Sequence, residues 1–523
     1  MMDIRQKTEP AVWSALLISV AFFCVLLVNV IYWYATCEST KFFVFGFLAC
    51  ILLGIIIYAF KMNIIDRMTS EVVFLSALSI SCIFFVFLFP PFSVPDEGHH
   101  FLSSYWLVDC ITGESSLTDS SSIPLRQDDY LLCTEWASNE ISLHSYQSIL
   151  DHFELFNQND EIEVIATEGF SVGSENIVTK IGSVLGIIIA RILNLGAYPL
   201  FYLGRLLNAA QFVMLSYAAF KIIPTGKTIV ASVSLLPMTL HLAASYSYDG
   251  GIIGLSMLLI ALLLRAISND KPFSIKEMIS IGAVTALLAP CKILYTSITL
   301  LLFLIPKSRF RNVRDKYIFI ISLILIAGVS IIGFRLAGIA GLASSSTELD
   351  YRGIESGHFY SLGDVINNPI GTIALFFRTL LVNGDFYAST LVGGSLGWFQ
   401  DSIAAPYFIV FLYYLLLLIG AQKCRNDCDD VQLPTKVVMT SIFVLCIFGS
   451  MVSMFLGWTF TYEPIVMGVQ GRYFLPVLIA ALFAVRWKSV YINQPTYGLV
   501  LSGVCTLNIF YAVGLVGSAL SLV

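Results

Sequence analysis

The stretch Pro90-Pro91-Phe92-Ser93-Val94-Pro95-Asp96-Glu97-Gly98-His99-His100 closes an apolar run and opens a long acidic loop. It sets two adjacent carboxylates, Asp96 and Glu97, at the lip of a bilayer, with two imidazoles, His99 and His100, within one helical turn. Ionisable groups at hydrocarbon depth are costly and mark functional sites by default. Helix N-capping after Pro95 is the plain alternative for the two acids.

Outward from this stretch the chain reads as membrane protein. Apolar residues make up 57% of the 523 and charged residues 12%, with a mean hydropathy of +0.83. A soluble chain would carry about a quarter charged residues. The net charge of −6 hides an asymmetry. Residues 96–176 hold sixteen Asp or Glu against one base, Arg126, whereas Lys307 to Lys316 holds five bases and one acid. Basic loops stay in the cytoplasm, so these two stretches face opposite sides. The first apolar segment is too long for a signal peptide and lacks a small-residue cleavage site, which makes it a retained span.

Apolar length places crossings at 11–35, 42–60, 71–91, 198–220, 228–247, 251–268, 277–290, 292–306, 317–340, 404–421, 437–458, 474–487 and 496–520, about 13 in all. Arg5, Lys7, Lys61 and Arg67 set the N-terminus and the second loop inside, so the acidic loop lies outside. Lys221 and Lys227 then require that 181–195 not cross, and it reads as an interfacial helix, as does 370–383. The expected organisation is an all-α polytopic membrane protein: N-terminal helices over 1–92, an acidic external loop over 93–180, and a transmembrane core over 181–523. Cys110 and Cys133 share the external loop and would form a disulfide if it faces an oxidising compartment. Cys424 and Cys428, lacking a second pair, give little support for zinc.

With this sidedness, polar residues from distant segments gather on the outer face: Asp96, Glu97, His99, His100, Arg205, Tyr248, Asp249, Lys292, Tyr295, Trp398, Gln470, Arg472 and Tyr473. Arg205, Lys292 and Arg472 suit a phosphate at headgroup level. Asp96, with Glu97 second, suits a general base toward a hydroxyl; the acid pair could instead hold a divalent cation. Trp106, Tyr248, Trp398 and Tyr473 could stack on sugar rings or anchor the interface. Arg205 and Asp249 could pair with each other. No Walker motif, dinucleotide fingerprint or basic nucleic-acid face is present.

These residues, read in order as Pro95-Asp96-Glu97 with His100, Tyr248-Asp249, Lys292 with Tyr295, Gly397-Trp398 and Gln470-Gly471-Arg472-Tyr473, resemble a bacterial family of polytopic membrane proteins of unknown function grouped by fold with the GT-C glycosyltransferases. The resemblance runs from about residue 71 to 520. It implies a GT-C-like fold and an acidic residue of the first large external loop in the active site. It also implies a polyprenyl-phosphate sugar or lipid-linked oligosaccharide as donor. The chain departs in placing two spans before the one that leads into the loop, where many GT-C enzymes have one.

The expected function is an inverting glycosyltransferase that moves a sugar from a polyprenyl-phosphate donor to a surface glycan at the outer face of a bacterial cytoplasmic membrane. Asp96 is the expected base. Arg472 and Lys292 would hold the leaving phosphate, with Arg205 in support. The alternatives are a polymerase or ligase using a lipid-diphosphate glycan, and a lipid-linked glycan flippase. A transporter needs polar groups at mid-membrane, and the pattern here favours one surface.

Overall fold

The computed structural model describes residues 70–115, 122–166, 176–343, 358–400, 403–424, 431–487, 490–492 and 496–521. The expected spans at 11–35 and 42–60, with the bases around them, lie outside the described residues, as does Cys428.

The described chain is mostly helical. Helix α1 (Ser70–Leu88) is followed by α2 (Glu97–Thr112), strand β1 (Ser122–Arg126), the short α3 (Gln127–Leu131), α4 (Leu143–Asp151) and strand β2 (Ile162–Ala166). Then come α5 (Ile181–Ile192), α6 (Ala197–Ile222), α7 (Lys227–Ser234), α8 (Pro237–Ala243), α9 (Asp249–Ser268) and α10 (Ile275–Leu288). A 3-10 segment, Ile293–Leu304, leads to α11 (Val313–Ala343), α12 (Leu362–Asn367), α13 (Pro369–Val392) and α14 (Tyr407–Ala421). The two-residue strand β3 (Lys423–Cys424) precedes α15 (Leu433–Trp458), a 3-10 turn at Gly471–Phe474, α16 (Leu475–Ala484), β4 (Tyr491–Ile492) and α17 (Thr496–Ser521).

Five described helices are long and apolar enough to cross a membrane: Ser70–Leu88, Asp249–Ser268, Val313–Phe334, Leu433–Trp458 and Val500–Gly517. The structure divides several segments that read as single crossings. The run 228–247 is two helices, α7 and α8, broken at Leu235 and Leu236, where Pro237 removes an N–H and begins the second helix. The run 292–306 winds as the 3-10 segment Ile293–Leu304. Helix α5 has 12 residues, about 18 Å at 1.5 Å per residue, which is too short to span. The expected interfacial stretch 370–383 is instead part of α13, a 24-residue helix.

Helix α6 is the hub, packed against α1, α5 and α9. Its fit with α5 rests on a small-residue seam, Gly182-Ser-Val-Leu-Gly186. A Cβ on Gly186 would lie 2.5 Å from Gly204 Cα, and one on Gly182 would lie 2.5 Å from Leu207 O. Bare backbone at those two turns is what lets the helices touch.

The acidic loop is, over its described residues, a small folded unit. Strands β1 and β2 pair antiparallel, Ser122 opposite Ala166 and Arg126 opposite Ile162. Arg126 closes on Asp129 (2.8 Å) and donates to Leu195 O (2.9 Å), docking the unit on the turn between α5 and α6. Cys110 and Cys133 are both free thiols, so the expected disulfide is not formed. Cys110 lies near the end of α2 beside Asp109, whereas Cys133 is packed beside Asp129 in the turn after α3.

The molecule has two poles. At one, Lys227 pairs with Glu71 (3.2 Å), Arg486 donates to Thr225 (2.9 Å), and Lys436 donates to the Arg486 carbonyl. At the other, the Pro90–His100 stretch meets the starts of α6 and α9 and the Gln470–Tyr473 run.

Candidate functional site

Helix α1 cannot continue through Pro90 and Pro91, which lack the N–H a helix needs. The chain instead folds into a tight turn. Ser93 Oγ donates to Pro90 O (2.7 Å), and Phe92 and Asp96 both take left-handed conformations, φ 64° and 63°. For a non-glycine residue that region is strained, and Asp tolerates it better than most. Asp96 holds the N-cap position of α2 without a side-chain cap bond, its carbonyl accepting from His100 N (3.0 Å). The capping reading of Asp96 therefore fails, and its carboxylate is turned elsewhere.

The two neighbouring acids go to different places. Glu97 is fully buried and receives Arg205 through two bonds, Nε to Oε1 (2.8 Å) and Nη2 to Oε2 (2.5 Å). Glu97 also accepts from Phe92 N and Tyr246 N, both at 3.1 Å. Arg205 donates further to Val86 O (3.1 Å), Phe89 O (2.5 Å) and Pro90 O (3.0 Å). Every strong position on the pair is taken. The roles expected for Glu97 as base and for Arg205 as phosphate ligand are corrected: the two staple the Pro90 turn to α6. Nor does Arg205 pair with Asp249.

Asp96 is 52% exposed and accepts from Arg472 Nη2 at 2.9 Å, with the arginine 5% exposed. Residues 376 positions apart thus meet at one pole. Lys292 Nζ donates to Asp249 Oδ1 (3.0 Å). It lies 4.5 Å from the Tyr473 ring centroid and 5.5 Å from that of Tyr248, and Arg472 also lies over Tyr473, at 5.6 Å. His100 packs edge-on to Tyr248 at 4.7 Å, with His99 beside it at 5.7 Å. Tyr295 Oη donates to Tyr473 O (2.8 Å), fixing the arginine's neighbour. Trp398 Nε1 donates to Phe92 O (3.0 Å), which ties the Gly397-Trp398 element to the acid turn.

Gly471 sets the arginine's position. A Cβ there would stand 2.0 Å from Tyr387 O, and Gly471 N donates to Thr390 Oγ1 (2.9 Å). Only glycine fits so close to the α13 backbone. Three buried polar atoms in this region have no hydrogen-bond partner: Arg472 Nε, His100 Nδ1 and Gln470 Oε1. Native interiors leave few such atoms, and a ligand is one way they are satisfied. Among the described residues no three His, Cys, Asp or Glu side chains gather as a metal set.

A family model described as a predicted membrane protein, DUF2142, matches residues 78–481. The chain belongs to this family. No curated protein and no solved structure matches it. The DUF2142 match runs from within α1 to within α16 and encloses both partners of the Asp96–Arg472 pair.

In this DUF2142 chain the structure also adds residues that sequence reading passed over. Asn208 Nδ2 donates to Ser245 O (2.6 Å) and Ser247 O (3.1 Å), bracing the turn that presents Tyr248 and Asp249. Lys180 is buried, donates to Ser103 Oγ and lies 6.0 Å from the Tyr248 ring. Both carried a signal. Asn208 is the first amide in an apolar helix, and Lys180 is a base at the end of an otherwise acidic loop.

Burial, with Lys180, His99, Arg472 and Lys292 around it, holds the His100 imidazole well below its ordinary 6.5. Unfolded, His100 takes a proton below that value; folded, it stays neutral. The unfolded state binds more protons in that window, so stability is full above about pH 6.5 and declines on acidification, by up to about 1.4 kcal/mol per pH unit. His100→Gln is therefore expected to flatten the acid side of the melting-temperature profile. Equal acid slopes for the two proteins would refute a neutral buried His100.

Proposed function

We propose that the chain is a membrane glycosyltransferase. It moves a sugar from a polyprenyl-phosphate donor to a surface glycan at the outer face of a bacterial cytoplasmic membrane, with its N-terminus in the cytoplasm. One observation carries the reading: a half-exposed carboxylate, Asp96, shares a buried guanidinium, Arg472, whose Nε is unsatisfied. Asp96 takes the proton from the acceptor hydroxyl as that oxygen attacks the anomeric carbon. Arg472, with Lys292, receives the charge that develops on the departing phosphate. Neutral His100 and the rings of Tyr248 and Tyr473 line the same place without adding charge.

The test is direct. Purified protein in vesicles, given labelled polyprenyl-phosphate hexoses and acceptor glycan, is expected to form glycan-linked label. Movement of the donor across the bilayer without transfer would favour a flippase. Label appearing only with a diphosphate-linked oligosaccharide donor would favour a polymerase or ligase. Neither transfer nor movement, with surface glycans of identical mass when the protein is deleted, would remove the proposal.

A further inference from the structure

At the pole opposite Asp96, two loops are knotted into one surface. Arg309, buried between them, donates to Ala266 O (2.5 Å), to Lys271 O (2.7 Å) and to both oxygens of Glu277 (3.1 Å each). Phe273 N returns a bond to Arg309 O (2.7 Å), and Phe273, Phe310 and Phe319 pack together beneath. The knot consumes the charges of Arg309 and Glu277. Lys316 is turned inward, donating to Phe303 O (2.9 Å) and Ile305 O (2.6 Å).

What remains facing out is mainly basic. Arg265, Lys271, Lys276, Lys307, Arg311 and Arg314 are exposed, against exposed Asp270 and half-buried Asp315. The positive-inside rule accounts for bases on this side but not for two loops being tied together so that the bases adjoin. The surface also borders hydrocarbon. Ile275 (67%), Ile279 (64%), Val313 (47%) and Ile318 (51%) are exposed within about a turn of the bases. The span Val313–Phe334, which begins inside the basic cluster, has only 11% of its apolar window buried.

We propose that this surface is a binding site for the headgroup of an anionic phospholipid, whose acyl chains lie along α10 and α11. Cationic clusters at a helix end recognise such headgroups, each base contributing about fivefold in affinity at the surface. The site is independent of the sugar-transfer reading.

Full-length protein in detergent, titrated with phosphatidylglycerol or phosphatidylcholine and read by native mass spectrometry, is expected to retain phosphatidylglycerol in preference. Lys276→Gln, Arg311→Gln and Arg314→Gln together are expected to remove that preference, each step weakening retention about fivefold. All three side chains are exposed, so melting temperature should not change; if the triple variant folds poorly, the three single variants carry the same test. Equal retention of the two lipids would overturn the proposal, as would unchanged retention by the variants. Displacement of the lipid by inorganic phosphate at matched ionic strength would also overturn it, by making the site one for free anions.

Discussion

Arg205→Met is expected to lower the melting temperature sharply and to reduce the yield of folded, monodisperse protein. The substitution leaves Glu97 fully buried with no cation, and removing one partner of a buried pair destabilises by about 3–5 kcal/mol. That is a large share of a typical stability of about 5–15 kcal/mol. Arg205 also supplies donors to Val86 O, Phe89 O and Pro90 O, so the turn that carries Asp96 loosens as well. Adding Glu97→Leu is expected to recover part of the loss, because no buried charge then remains. Thermal melting in detergent reads both variants. An Arg205→Met protein that melts with the wild type would show that the pair is not the staple described.

Asp96→Asn has the opposite profile. Asparagine has the same shape, accepts the left-handed backbone that Asp96 adopts, and lies half in solvent, so folding is expected to survive. Turnover in the transfer assay is expected to fall by about 100- to 10,000-fold, the range for loss of a positioned general base. Arg472 loses its carboxylate but keeps its place, because Gly471 and Tyr295 fix the backbone around it. Donor binding should therefore change far less than turnover. Full turnover in a folded Asp96→Asn protein would eliminate Asp96 as base. The two adjacent acids are thus expected to separate: loss of the Glu97–Arg205 pair in melting, and loss of Asp96 in the rate of the proposed transfer.

The convergence of Asp96, Lys292, Asp249 and Arg472 at one pole was legible before any coordinates. The charge asymmetry between the acidic 96–176 stretch and the basic Lys307–Lys316 stretch predicts which helix ends share a side. The pairing within that pole was not legible. Asp96 and Glu97 are neighbours of nearly equal chemistry, and only the left-handed turn at Asp96 sends one outward and the other into the core. The helix breaks were half visible. Pro237 announces one, but the 3-10 winding of Ile293–Leu304 has no breaker within it and depends on how it packs between α9 and α15. Helix α13 reads short from sequence, over 370–383, because polar stretches flank that segment; the helix runs on through Asp385 to Val392.

Composition and order alone determined that this chain lives in a bilayer, which loops are basic, and which residues stand at helix ends. Those properties follow from transfer of side chains between water and hydrocarbon, which is local and nearly additive along the chain. Tertiary structure alone decided which acid meets which base, because a salt bridge such as Asp96–Arg472 joins segments hundreds of residues apart. Its partners are selected by backbone geometry at Asp96 and Gly471, not by the identity of the neighbours in sequence.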